Sequence, residues 1–405
     1  MMNVVNNTHN VLVYDFGTSA IKFGYGGDIK PLFSIPPYSA QRNQDDELHI
    51  QFGEEWLQKD LPGVEVMNMV NQDGTIKDRE MIMPFFDWTY DTCFGELDPQ
   101  EWKVLFSQPS SLLKQPAHLS SRRKLFAELA FEFGNHTQIS YQHDASLACY
   151  AHGIHTGVVI DFGMSCLRVV PVLEGHPLRR AIKIHRLGGF EMTDRLFQAM
   201  STNGKSIRTF LDPKPSDGFG GFFAPQRTIV PSQSQLSFCR RNVLIDMIKN
   251  HLKFKLEPDP KETIADYVYF MAGREPVDIQ SEIESLSSNF WIDSNEQKSL
   301  TTLVAEAIAL TPPETQATMW STIVTCGGLS KLPGFNVVLE HQLNKVKPKN
   351  MPTNVVKPIC QEASGSFAVW VGGSIVASYA NFPDLCISST EWNEQGERIL
   401  ELKCL

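Results

Sequence analysis

Two aspartates, each at the end of an apolar run and each followed by a glycine turn and then a cation, carry most of the chemistry this chain can offer. In His9 to Asp28 (HNVLVYDFGTSAIKFGYGGD) the run Val11 to Tyr14 ends in Asp15, the turn Phe16-Gly17-Thr18-Ser19 follows, and a second apolar stretch carries Lys22 before Gly26-Gly27-Asp28. The pattern predicts a strand, a tight polar turn and a returning strand. Gly17 lets the backbone approach a ligand closely, successive N–H groups of such a turn converge on an anion, and Thr18 and Ser19 add hydroxyl donors, so the turn suits a phosphate. Asp15, at a strand end, suits a hydrated cation.

A single turn of this kind also fits an ordinary hairpin, but the pattern recurs. Gly157 to Gly175 (GVVIDFGMSCLRVVPVLEG) aligns Asp161 with Asp15, Gly163 with Gly17, Ser165 with Ser19 and Arg168 with Lys22. Positions 15 and 161 lie 146 residues apart, far beyond the period of a solenoid, which predicts two similar domains. Two such turns facing each other would clamp a phosphate chain. Ser321 to Leu339 adds an apolar strand, the pair Gly327-Gly328, Pro333, and then Phe335, Val338 and Leu339 at helical spacing.

Together these three elements resemble the nucleotide cleft shared by actin, the sugar kinases and the heat-shock chaperone ATPases. Three further stretches narrow the resemblance to the actin and actin-related protein family: Leu187-Gly188-Gly189 with the residues after it, Trp370-Val371-Gly372-Gly373-Ser374, and the tail Lys403-Cys404-Leu405. The resemblance implies an α/β fold of two similar domains, duplicated mixed sheets with flanking helices around a nucleotide cleft. The first domain is expected over residues 1–151 and 368–405 with an outer lobe at 37–73. The second is expected over 152–367 with an outer lobe at 188–295 and an insertion at about 201–238.

Carried over position by position, the resemblance implies ATP or ADP with Mg2+ as cofactors. Asp15 and Asp161 take the metal side through water. Gly17, Thr18, Ser19, Lys22, Gly163, Ser165, Gly189, Lys249, Gly327, Gly328 and Leu332 take phosphate or nucleoside positions. The residues that align the attacking water are altered: Asp144 stands for a glutamine, Met164 for an aspartate and Arg168 for a histidine. Phosphoryl transfer depends on positioning and charge stabilisation, so a thioether in place of a carboxylate removes a polar contact. Asp144 is the one remaining candidate for orienting a water, and its negative charge is one that Arg168 could offset. Leu332 replaces a tyrosine and Ser366 a lysine, which implies looser nucleoside recognition.

A chain of 405 residues, 42% of them hydrophobic, is expected to build more than one core. The net charge of −10 argues against a surface that coats nucleic acid. There is no apolar run of about 18 residues for a membrane span, and MMNVVNNTHN lacks the basic and apolar regions of a signal peptide, so a soluble intracellular protein is expected. The eight cysteines are scattered singly and are expected to be mostly unpaired thiols.

Helices are expected near Asp78 to Phe94, with Pro84 at a first turn or kink, over Ser120 to Gly134 with a serine cap, and over Asp144 to Gly153. A strand is expected at Trp102 to Phe106. The 45 residues between Asp28 and Gly74 lack the Gly/Met-rich loop tip with which actin's outer lobe grips the next filament subunit. The insertion makes Gly189 to Lys249 longer than in actin by roughly thirty residues; its polar, Gly/Pro-rich composition fits disorder, while Phe219, Phe222 and Phe223 favour docking against some surface.

Three functions follow from these readings. The first is an ATP-binding, hydrolysis-poor structural subunit of a multi-protein assembly of the chromatin-remodelling or dynein-activator type, in the cytoplasm (cytoskeleton) or nucleus. Its partners would be proteins, actin or other actin-related proteins among them. The second is a filament-forming cytoskeletal ATPase. The third, a sugar-kinase-like transferase, lacks any sugar-site signature. At most a weak ATPase is expected.

Overall fold

The computed structural model describes residues 10–44, 47–59, 61–77, 79–95, 97–212, 230–257, 264–271, 276–288, 290–293 and 297–404. Both repeats form antiparallel hairpins in one register. Val11–Phe16 pairs with Ile21–Tyr25 so that Asp15 faces Lys22, and Gly157–Phe162 pairs with Leu167–Leu173 so that Asp161 faces Arg168. The first hairpin lies in a six-stranded sheet, in the order Ile387–Ser388, Gln138–His143, Lys103–Gln108, Val11–Phe16, Ile21–Tyr25, Phe33–Ile35. The second lies in a five-stranded sheet where Ile323–Cys326 runs parallel to Gly157–Phe162. Parallel and antiparallel pairs mix in both sheets, as expected when hairpins are joined to strands that return through helices.

Each sheet has its own apolar core. Tyr14, Phe16, Phe23, Phe85, Phe86, Phe106 and Phe126 fill the first, and Phe162, Phe254, Phe290 and Phe335 belong to the second. The helix Ala368–Ala377 gives Trp370-Val371-Gly372-Gly373-Ser374 its structural meaning. Trp370 is fully buried and donates Nε1–H to the Val13 carbonyl at 3.0 Å. A Cβ on Gly372 would lie 1.9 Å from the Leu147 carbonyl oxygen, so glycine is what lets this helix press on Asp144–Tyr150. Ser374 donates to the Asp28 carbonyl at 2.7 Å and accepts from the Gly27 amide at 2.8 Å, pinning the end of the first hairpin.

Local boundaries differ from expectation where tertiary packing outweighs the local signal. Pro84 sits inside the helix Arg79–Trp88 rather than at its start, and a π-helical turn, Thr89–Cys93, follows. Burial of Ile82, Phe85 and Phe86 offsets the roughly 3 kcal/mol that an interior proline costs. The next helix starts at Pro116, not at a Ser120 cap, because proline at the first helical position needs no N–H partner. The expected strand at 102–106 is Lys103–Gln108. Asp144 begins its helix as expected, with His143 as the N-cap residue.

The outer part of the first domain is a three-stranded sheet of Tyr38–Gln44, Glu47–Phe52 and Glu65–Asn68, with the short helix Glu54–Leu57. Its first two strands pair from Ser39 opposite Phe52 to Gln44 opposite Glu47, so a two-residue connection stands where a long gripping loop would be. In the insertion, Phe219, Phe222 and Phe223 lie outside the described residues. Residues 233–238, the end of the expected insertion, belong to the helix Gln233–His251, capped by Ser232 through the Gln235 amide. No described helix is long and apolar enough to cross a membrane, and all eight cysteines are unpaired.

His185 makes folding sensitive to acid. Its Nδ1 faces the Leu187 amide at 3.1 Å and the Gln297 side-chain amide at 2.8 Å, so that nitrogen must stay an acceptor, and burial pushes its pKa down to about 4. An unfolded histidine titrates near 6.5. Below that pH the unfolded chain binds the proton first, so stability is expected to be flat above about 6.5 and to fall from there toward pH 4. Burial lowers His136 and His152 in the same direction. Melting temperatures at pH 7.5 and 5.5 check this: the acid value should be lower, with a smaller gap in His185→Gln, and an equal or higher acid value would contradict it.

Candidate nucleotide site

The two hairpin turns and the Gly327-Gly328 turn meet on one cavity of about 260 Å3, lined by Asp15, Gly17, Thr18, Ser19, Lys22, Asp144, Asp161, Gly163, Ser165, Arg168, Gly327 and Gly328. Lys22 Nζ lies 2.8 Å from Asp15 Oδ2, and Ser107 donates to Asp15 Oδ1 at 2.6 Å. A side chain at Gly17 would crowd the Lys22 ammonium (3.3 Å) and the Ala20 carbonyl (2.9 Å). Gly327 has φ of 84°, and a Cβ there would meet the Phe162 carbonyl at 2.4 Å and Asp161 Oδ1 at 2.5 Å. Glycine is therefore what brings the third turn against the second hairpin.

Arg168 ties the centre together. Its guanidinium is paired with Asp161 Oδ2 and lies 2.9 Å from Asp144 Oδ2, with a further bond of 3.3 Å to Ser111. Burial works against the arginine's charge, but Asp144 and Asp161 outweigh it and hold the group protonated above its ordinary range. Asp144 Oδ1 accepts from the Ser110 amide (2.8 Å), the Ser110 hydroxyl (2.5 Å) and the Ala145 amide (2.7 Å). Both oxygens of Asp144 are thus engaged within the protein. Burial pushes the thiol of Cys166, which also lines the cavity, up from its ordinary range.

Three predicted residues sit elsewhere. Gly189 lies behind Met164, where a Cβ would come within 2.3 Å of Sδ, and its amide and that of Phe190 donate to the Gly163 and Met164 carbonyls. Lys249 is on the last turn of Gln233–His251 and lines a second cavity of about 610 Å3, which shares Thr18, Ser19 and Met164 with the first. Leu332 is buried in the core of the second domain, packed away from both cavities. The residues the sequence reading missed are Ser107, Ser110 and Ser111; only the serine-rich stretch after the strand Lys103–Gln108 marked them.

Among the described residues no three His, Cys, Asp or Glu side chains converge at metal-ligand spacing. The donor set of Asp15 and Asp161, two carboxylates on one cavity with a cation against each, fits an ion held through its water shell rather than one stripped of it.

Two sheets each bring a glycine turn and an Asp-cation pair to one shared cavity, a duplicated α/β arrangement. The family model described as Actin matches residues 6–217 and 267–405. The chain is 24% identical to actin-related protein 4 of Arabidopsis thaliana over 366 residues, covering 84% of this chain and 80% of that protein. It is also 24% identical to actin-like protein 7A of Mus musculus, covering 97% and 82%, and to actin-like protein 7B of Rattus norvegicus, covering 97% and 88%. The chain belongs to the actin family, as a divergent actin-related protein with the two-domain fold of that family.

Proposed function

We propose that the chain binds ATP or ADP, hydrolyses it poorly, and serves as a structural subunit of a multi-protein assembly. The observation that carries this reading is the Arg168 clamp: Asp144, which stands where actin has a water-aligning glutamine, is fully engaged by Arg168, Ser110 and Ala145. Met164 adds a thioether where the family has a carboxylate, so neither of these two positions offers a free base to orient a water beside a terminal phosphate. In this reading Lys22 and the turns at Gly17, Gly163 and Gly327 hold the phosphates, and Asp15 and Asp161 hold a hydrated Mg2+. When bound, that ion would neutralise phosphate charge. Asp144 then has a positioning role.

The partners of this reading are proteins, with actin and other actin-related proteins among the candidates. Its locations are cytoplasm or nucleus, and its assemblies are those of the chromatin-remodelling or dynein-activator kind. The intact phosphate turns favour a second reading, a filament-forming ATPase. The pairing of Tyr38–Gln44 with Glu47–Phe52 up to Gln44 opposite Glu47 speaks against it, because only two residues of sequence remain between the strands to reach a neighbour. Sedimentation in polymerising salt and Mg2+ is expected to leave the purified protein in the supernatant. A pellet of ordered filaments would select the second reading.

A further inference from the structure

A cavity of about 420 Å3 opens away from the phosphate turns, between the stretch carrying Thr75, Lys77 and Arg79 and the helix Pro116–Glu128. His118, Ser121 and Arg122 reach it from one face of that helix, at the spacing i, i+3 and i+4. Lys77, Arg79, His118 and Arg122 make half of its lining basic, Thr75 and Ser121 add hydroxyls, and no described carboxylate lines it. The chain as a whole carries a net charge of −10, so this concentration of positive charge runs against the rest of the surface.

Arg122 is the residue that lacks a counter-charge. It is 3% exposed, and no described carboxylate pairs with it. Its guanidinium donates to the backbone carbonyls of Gly74 (2.7 Å) and Ser107 (3.4 Å), while Nε–H is buried without a partner. The rings of Phe126 and Phe16 lie 4.9 and 5.9 Å from it and supply no net charge. Burial pulls its pKa down to about 10, so the group stays protonated at neutral pH. A buried cation with carbonyl and ring partners alone is only partly compensated, and an anion in the cavity completes the balance.

The other basic groups leave that balance positive. Lys77 is exposed and has no described ion-pair partner. Arg79 lies 3.2 Å from Glu128 and over the Phe133 ring, but Glu128 is shared with Lys124 at 3.9 Å. His118 faces Asp73 at 3.6 Å. Neither Glu128 nor Asp73 lines the cavity.

We propose that this cavity binds a small polyanion with adjacent phosphoryl groups, held by Lys77 and Arg79 from one side and by His118 and Arg122 from the other. Cations on facing walls favour a ligand with two or more charges, arginine forks match phosphate oxygens, and the volume lies within the roughly 300–1,000 Å3 of small-molecule sites. None of the four basic residues lines the phosphate cavity, so the site is independent of the nucleotide reading.

The test is isothermal titration of the full chain with sodium pyrophosphate in low salt and EDTA, beside Lys77→Ala, Arg79→Ala and the double variant. The wild type should bind pyrophosphate, and each single variant should weaken that binding by about tenfold or more, the range for one charge-assisted hydrogen bond. Pyrophosphate should also raise the melting temperature of the wild type more than that of the double variant. Inorganic phosphate should bind the wild type at least about tenfold more weakly. Lys77 is exposed, so Lys77→Ala keeps the fold and decides the matter if Arg79→Ala does not. No binding by the wild type, or equal binding by wild type and Lys77→Ala, would overturn the site, and equal affinity for phosphate and pyrophosphate would overturn the polyanion. Each of these results leaves ATP binding, measured separately, untouched.

Discussion

Met164→Asp is expected to raise single-turnover ATP hydrolysis by about tenfold or more, and adding Asp144→Gln should raise it further. One well-placed group in a transition state is worth on the order of 1.4 kcal/mol, which is tenfold in rate. Met164 lines both cavities, and its sulfur rests against Gly189, so the shorter aspartate fits without overlap. Asp144→Gln acts on the second obstacle. A glutamine keeps an acceptor for the Ser110 and Ala145 amides while releasing Arg168 from its ion pair, so one carboxamide becomes available to a water. Saturating ATP in a single-turnover format separates slow chemistry from weak binding. A wild type that already turns over as fast as the double variant would mean that water is positioned by other groups, and the structural-subunit reading would lose its main support.

Trp370→Ala should cost about 3–5 kcal/mol of stability, the range for removing a large aromatic side chain from a packed interior. The indole lies in the cluster where the helix Ala368–Ala377, the strand Val11–Phe16 and the helix Asp144–Tyr150 meet, and its truncation would also leave the Val13 carbonyl without the Nε1–H donor. Trp370→Phe keeps most of the volume and should cost less. Urea midpoints of the three proteins check this: the order wild type, phenylalanine, alanine is expected, and an alanine variant within about 0.5 kcal/mol of wild type would contradict it.

The fold was legible where a motif is local and repeated. The two Asp-Gly hairpins were legible as strand, turn and returning strand; their register, Asp15 opposite Lys22 and Asp161 opposite Arg168, is fixed by the turn and was seen only in the structure. The Trp-x-Gly-Gly-Ser helix was legible as a motif but not as a mechanism; only the distance from Gly372 to Leu147 explains its glycines. The Asp144–Arg168 pair was legible as a charge offset, but the engagement of Asp144 by Ser110 was hidden because that partner lies 34 positions away, at no helical or strand spacing from it. The contact between the outer lobes was hidden for the same reason: Val66 and Ser234 are 168 residues apart. Lys249 and Leu332 were placed by linear correspondence to a family, which fixes a position on a helix or turn but not which cavity the side chain meets.

Isothermal titration of the purified chain with ATP and Mg2+, read beside its melting temperature, tests the central claim most directly. A ligand that binds only the folded state must stabilise it, by about 2.7 kcal/mol at a hundred times its Kd. The account predicts saturable heat near one nucleotide per chain and a melting temperature that climbs with ATP. No heat together with an unshifted melting temperature at millimolar Mg-ATP would contradict it.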